Sequence, residues 1–292
     1  MTLPRNASTL ALPCFCRGVL CSCRGPSMLF TMSLYLFFGA IAGVLAGLLG
    51  LGGGVVIVPM LNYAFALEGI PEGSIQIMAV ATSMACILFT SISSVRAHHK
   101  HGSVNWSVWK RIILGILIGT FCGTWIAVLL SQTMLRGFFI VYLVICAVQM
   151  WRPLKVASSQ TLPGQGVLLG AGGTIGAISS LVGIGGGTMS VPFLSYCSLD
   201  FRSCIGTSAA IGFPIALAGT VGYILNGWNA PALPPHSLGY IYLPACLGVV
   251  ATSMIFATLG AKWAHKVPVA KLRRIFAIFL IVVATDMLCD ML

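Results

Sequence analysis

The 292-residue chain is 58% hydrophobic and 7% charged, with a mean hydropathy of +1.00; soluble domains carry roughly 25% charged residues, so a soluble globular protein is excluded. Its formal net charge of +11 sits in short Lys/Arg clusters between apolar runs, which is where topology determinants of membrane proteins sit. No basic stripe interleaved with aromatics accompanies it, so nucleic acid is excluded as a partner.

Residues 1–27 hold four of the eleven cysteines, as Cys14-Phe15-Cys16 and Cys21-Ser22-Cys23. Paired Cys-x-Cys would suit a soft metal or a redox site. This stretch, however, lacks helical periodicity and precedes Met28 and Met32, either of which is a plausible start. It reads as an N-terminal extension outside the fold, disordered or a mis-assigned start. An apolar signal core over Leu10–Leu20 is broken by Pro13 and Arg17. The other seven cysteines are scattered in or beside apolar runs with no shared spacing, as small hydrophobes are. No metal and no cofactor is expected.

From Leu29 onward there is room for roughly eight to ten uncharged apolar runs able to span a ~30 Å hydrocarbon core. The first, Leu29 to Leu49, carries Gly39, Gly43, Gly47 and Gly50, a spacing that lets membrane helices approach closely. It runs into Gly50-Leu51-Gly52-Gly53-Gly54 and closes at Pro59. Glycine costs about 1 kcal/mol against alanine in a helix interior, so three in a row predict a broken helix. A break frees backbone N–H and C=O groups that must be paired or face a wet cavity. A shorter apolar piece continues to Leu67, then the turn Glu68–Gly73. The third run, Ile75–Val95, contains Thr82-Ser83 and ends at Arg96. A basic loop follows with Arg96, His98, His99, Lys100, His101, Lys110 and Arg111. Its histidines have no carboxylate nearby and read as a solvated cationic loop rather than a metal site. Runs four and five cover Ile112–Leu130 and Leu135–Met150, with Trp106, Trp109 and Trp151 at run ends, as interfacial aromatics.

The second half replays the first. After a linker over 152–165, Gly183-Ile184-Gly185-Gly186-Gly187 and Pro192 repeat Gly50–Gly54 and Pro59 at an offset of 133 residues, and Gly172 and Gly176 answer Gly39 and Gly43. Thr207-Ser208 answers Thr82-Ser83, and Leu272-Arg273-x-x-Phe276 answers Leu135-Arg136-x-x-Phe139. The chain therefore divides into a first transmembrane repeat, 28–151, the linker, and a second repeat, 166–292. Matched loops carry opposite charge: the Arg96–Arg111 loop is basic and its counterpart Asn226–Gly239 is not. The loop with Arg136 alone is matched by the strongly basic Lys262–Arg274. This predicts an all-α polytopic membrane protein of two inverted-topology repeats, about five segments each, each with a glycine-broken helix pair that is either re-entrant or two crossings. With the Arg96 loop cytoplasmic, twelve of the sixteen Lys/Arg lie inside and both ends lie outside.

The doubled Gly-x-Gly-Gly-Gly…Pro motif, with Gly206-Thr207-Ser208, its partner Ala81-Thr82-Ser83 and the closing Leu272-Arg273-x-x-Phe276, resembles the TauE/SafE sulfite exporter family (the DUF81 membrane proteins) over roughly Met32 to Leu292. Ala81, in place of a glycine, and the cysteine-bearing extension depart from the family pattern. The resemblance implies transport of sulfite or a related sulfur-containing anion or organosulfonate, often outward, in a multi-pass plasma membrane protein, the bacterial inner membrane being the family's setting. An uptake permease of the same fold for thiosulfate, sulfonate or another small anion, or a non-transporting membrane subunit, are the alternatives. The sequence is silent on the oligomeric state.

The runs hold almost no Lys or Arg, so an anion between them must be met by neutral dipoles. A helix amino end carries roughly +0.5 charge and free N–H donors, and glycine lets an anion approach them. The expected substrate-binding residues are thus Gly52, Gly53, Gly54, Gly185, Gly186, Gly187 and Thr188, with hydroxyls from Thr82, Ser83, Thr207 and Ser208. Gly50, Pro59, Gly183 and Pro192 mark the helix breaks. A dinucleotide fingerprint at Gly50–Gly54 would need a preceding strand, and an apolar helix stands there instead. No H-E-x-x-H, G-x-S-x-G or Walker lysine is present, so no enzyme is expected.

Overall fold

The computed structural model describes residues 28–49, 53–151, 163–197, 199–231, 233–264 and 269–291. The extension (1–27), most of the 152–165 linker, and the break glycines Gly50 and Gly52 lie outside the described residues. The helices are α1 (Met28–Leu49), α2 (Gly54–Glu68), α3 (Glu72–Lys100), α4 (Trp106–Leu129), α5 (Gln132–Trp151), α6 (Gln165–Val182), α7 (Gly187–Tyr196), α8 (Phe201–Gly227), α9 (Leu243–Ala264) and α10 (Val269–Cys289). A two-residue antiparallel ladder, β1 (Ser237–Leu238) with β2 (Ile241–Tyr242), lies between α8 and α9. Among the described residues, five helices are long and apolar enough to cross a bilayer: α3, α4, α5, α6 and Ser203–Gly227 of α8. The protein is an all-α polytopic membrane protein.

Helices α3 and α8 form the centre. Their most apolar windows are 72% and 61% buried, against 39–44% for α4, α5 and α6. The two run antiparallel. Asn105, entering α4 just past the end of α3, meets Thr207 near the start of α8, and Tyr242, beyond the end of α8, meets Thr82 in the first half of α3. α5 and α10 are also antiparallel, since Arg136 near the start of α5 pairs with Asp290 just past the end of α10 at 3.1 Å. By contrast α1 and α9 run parallel, Gly39 lying on Val249 and Gly43 on Ser253. α4 and α6 run parallel likewise, with Gly172 on Ile112 and Gly176 on Ile116. A methyl on Gly39, Gly43 or Gly172 would stand 2.7 Å from a facing carbonyl oxygen, so the glycine rows are what allow these backbones to touch.

The outer helices are apolar on both faces. On α5, Met134, Phe138, Val141, Ile145 and Val148 are exposed at helical spacing, while Leu135, Phe139, Leu143, Cys146 and Ala147 are buried. The bilayer is the solvent for the first set and the protein core for the second.

These contacts sort the charges to two ends. Arg96 and Lys100 at the close of α3, Lys110 and Arg111 at the opening of α4, and the start of α8 share one end. Glu68, Glu72, Arg136, Asp286 and Asp290 share the other, tied together through Gln76–Gln132 and Arg136–Asp290. One expectation is corrected: Arg96 to Lys100 is not loop but the last turn of α3, closed by the His101 N–H on the Ala97 carbonyl at 3.3 Å. Cationic side chains favour the negative end of a helix dipole, which is why the basic segment stays helical.

Candidate functional site

Both breaks are built by glycine in the left-handed region. Gly53 (φ 73°) and Gly186 (φ 73°) are the residues before α2 and α7, and Gly183 (φ 77°) ends α6. A Cβ disfavours that region, so glycine is strongly favoured at these turns. The Gly53 carbonyl accepts from the Val56 and Ile57 N–H groups at 3.0 and 3.1 Å; the Gly186 carbonyl accepts from Met189 and Ser190 at 3.1 and 2.8 Å. The helices thus restart at matching positions, each presenting first-turn N–H groups that have no carbonyl partner within the helix. Pro59 and Pro192 fall inside α2 and α7, where each lacks the N–H that would reach the carbonyl four residues back, that of Val55 or Thr188.

The two breaks meet. A methyl on Gly54 would stand 2.6 Å from the Gly183 oxygen and 3.0 Å from Ile184 Cα. Ile87, midway along α3, touches both, at 2.8 Å from that position and 3.1 Å from the equivalent one on Gly185. Gly212 of α8 faces Gly185 from the other side, its methyl position 3.1 Å from the Gly185 oxygen. Ser83 donates to the Gly183 carbonyl at 2.9 Å, so a first-half hydroxyl ties down the second break.

The predicted hydroxyls separate into two sets. Ser83, Ser208 and Thr188 are at the breaks. Ser208 pairs with Ser190 at 2.7 Å, and Ser190 donates to Gly186 O at 2.7 Å. Thr188 hydrogen-bonds the Tyr142 hydroxyl of α5. Thr82 and Thr207 turn elsewhere, and in matching fashion. Thr82 Oγ1 accepts the Tyr242 N–H at 3.0 Å just before α9, and Thr207 Oγ1 accepts the Asn105 N–H at 2.9 Å just before α4. Each threonine therefore clasps the other half. Ser190 and Tyr142 were not anticipated from the sequence. Neither carries a repeat signal: Ser190 aligns with Ile57 of the first copy, and Tyr142 stands in an apolar stretch of α5.

Around the clasp at the acidic end, Tyr35 donates to Glu68 at 2.6 Å, and Tyr242 packs edge-on to Phe65 with ring centres 5.6 Å apart. Burial and the adjacent Glu68 carboxylate push the Tyr242 phenol up, so it stays a neutral donor. The groups named at the breaks are all neutral: backbone amides, hydroxyls and aliphatic side chains.

A family model described as the sulfite exporter TauE/SafE matches residues 35–287. A probable membrane transporter protein of Haemophilus influenzae is 40% identical over 257 residues, covering 87% of this chain and 97% of the relative. One from Methanocaldococcus jannaschii is 26% identical over 84% of this chain and 91% of its own. The probable membrane transporter protein YunE of Bacillus subtilis is 24% identical over 88% and 97%. No solved structure matches the chain. Helices that cross a bilayer, a doubled glycine break and a match over nearly the whole described fold lead to one assignment: the chain belongs to the TauE/SafE sulfite exporter family of multi-pass membrane proteins.

Proposed function

We propose that the protein carries sulfite, or a related sulfur-containing anion or organosulfonate, outward across the plasma membrane by alternating access between two inverted halves. The observation that carries the reading is the meeting of the two glycine breaks, Gly54 against Gly183 and Ile184, beside the midpoint of the central helix pair. There the amino ends of α2 and α7 offer positive dipole ends and free N–H groups in a site without charged side chains among the described residues. A neutral site suits a carrier, because a buried cation would bind the anion too tightly to release it.

Inverted topology is supported by the packing directions. Corresponding helices α3/α8 and α5/α10 are antiparallel, while α1 matches α9 as α6 matches α4. A two-fold axis lying across the helices relates pairs in this way. Both breaks pack against Ile87 near the middle of α3, which favours hairpins that turn inside the bilayer over full crossings. The domain division into 28–151 and 166–292 follows the same symmetry. With the Lys/Arg-rich end in the cytoplasm, export of an anion is electrically downhill by ~2.3 kcal/mol per charge per 100 mV.

Labelled sulfite flux from proteoliposomes tests the reading. Wild-type protein is expected to release sulfite faster than empty vesicles. Gly186→Leu, which forces a side chain onto a φ of 73° and against Ile215 Cδ1 at 2.5 Å, is expected to reduce flux at least roughly tenfold, since a Cβ both strains that turn and crowds it. Unchanged flux in folded Gly186→Leu protein would show that the breaks are not the site.

A further inference from the structure

The two breaks share their glycines but not their side chains. Where the second half has Ser179, Thr188 and Ser190, the first has Ala46, Val55 and Ile57 at the 133-residue offset. Val55 and Ile57 are 2% and 3% exposed and belong to the apolar core. The amino end of α2 is therefore walled by hydrocarbon, and that of α7 by hydroxyls.

Most of those hydroxyls are already engaged. Ser190 is bonded to Gly186 O and to Ser208, Thr188 to Tyr142, and the neighbouring Ser180 to Ala177 O at 2.9 Å. Ser179 is the exception: it is 2% exposed, and its Oγ has no hydrogen-bond partner among the described residues. It stands directly over the turn, its Oγ 3.3 Å from where a methyl on Gly186 would be. The Ser179 carbonyl also receives the Gly183 and Ile184 N–H groups at 2.9 and 3.0 Å, so the turn holds this residue in place. A buried hydroxyl left unpaired is unfavourable and calls for an explanation. Here it faces the start of a helix whose first N–H groups are also unpaired within the helix.

We infer that the solute anion is held by the second break alone, at the amino end of α7, with Ser179 donating its hydroxyl beside the Gly187 and Thr188 N–H groups, and that the first break is a packing wall. This narrows the proposed function, on which it rests: of the two helix amino ends named there, only that of α7 takes the anion. The geometry selects an oxyanion with at least two acceptor oxygens, one for the hydroxyl and one for the backbone N–H groups. Sulfite, sulfate, thiosulfate and the sulfonate of taurine all meet that requirement.

The test is the thermal unfolding midpoint of the purified full chain in detergent, titrated with sodium sulfite, sulfate, thiosulfate and taurine. At least one of the four is expected to stabilise the wild type in a saturable way. For that anion, Ser179→Ala is expected to bind about tenfold more weakly, the scale of one hydrogen bond to a charged group. Val55→Thr, which puts a hydroxyl in the first break at the position that mirrors Thr188, is expected to stay within about twofold of wild type, since the anion is held at the other break. Should the alanine variant fail to fold, Ser179→Cys, of similar size but only a weak donor, reads the same loss. If the wild type binds and Ser179→Ala or Ser179→Cys binds equally well, the single-site inference falls while the carrier reading stands. A Val55→Thr variant that changes affinity as much as Ser179→Ala also overturns it. If none of the four anions binds, the sulfur-anion reading fails and takes this inference with it.

Discussion

Thr82 and Thr207 are identical residues in matching helices, and each accepts a backbone N–H from the segment that enters a helix of the opposite half. Both side chains are fully buried, so removing the acceptor leaves an amide without a partner. Thr82→Val and Thr207→Val are each expected to lower unfolding stability by about 1–3 kcal/mol, and by similar amounts, because the two contacts are alike. Denaturation of each purified variant measures this; a loss in only one would mean the clasps are not equivalent. The residue before each threonine shows why the copies differ. Gly206 lies against the Ser103 backbone with no room for a methyl, whereas Ala81 carries one in the core. The departure from glycine at Ala81 is thus a local packing difference and leaves the threonine contact intact.

At the scale of elements, the glycine rows decide which helices touch. Gly115, Gly119 and Gly123 of α4 face α6, and a methyl on Gly119 would collide with the Gly173 carbonyl. Gly170, one turn along α6, has open space around it. Gly119→Leu is expected to prevent α4–α6 packing and abolish monodisperse elution in size-exclusion chromatography, since overpacking at backbone contact cannot relax by rotamer change. Gly170→Ala is expected to be neutral or to stabilise by about 0.5–1 kcal/mol through helix propensity, read from the same unfolding assay. The contrast separates glycines that pack from glycines that are merely present. The central α3 is long for a different reason: its 29 residues reach beyond the ~30 Å core and carry its basic end clear of it.

At the scale of the molecule, Arg96, Lys100, Lys110 and Arg111 gather at one end of the bundle, and Glu68, Glu72, Asp286 and Asp290, with Arg136 among them, at the other. If the basic end is cytoplasmic, a reporter fused after Leu292 is expected to be active only outside the cytoplasm. A β-lactamase fusion that confers resistance fits this; cytoplasmic activity of a reporter at the same point argues against the orientation and the direction of transport built on it.

Much of the plan was legible in the chain. Composition dictated the membrane, because no soluble core needs so few charges. The two glycine runs contain the turns before α2 and α7, because a φ near 73° there strongly favours glycine. The repeat was readable because its landmarks are glycine, proline and threonine, whose backbone roles survive drift in the apolar residues between them. What the sequence left open was direction and partnership. On helices apolar all round, such as α5, hydropathy does not tell the lipid face from the protein face, so Tyr142 could not be assigned to Thr188. Nor could the sequence say that Thr82 and Thr207 clasp the opposite half, because those contacts join residues 160 and 102 positions apart. Tertiary packing decided these points, and it alone left Ser179 buried, unpaired and poised over the second glycine turn.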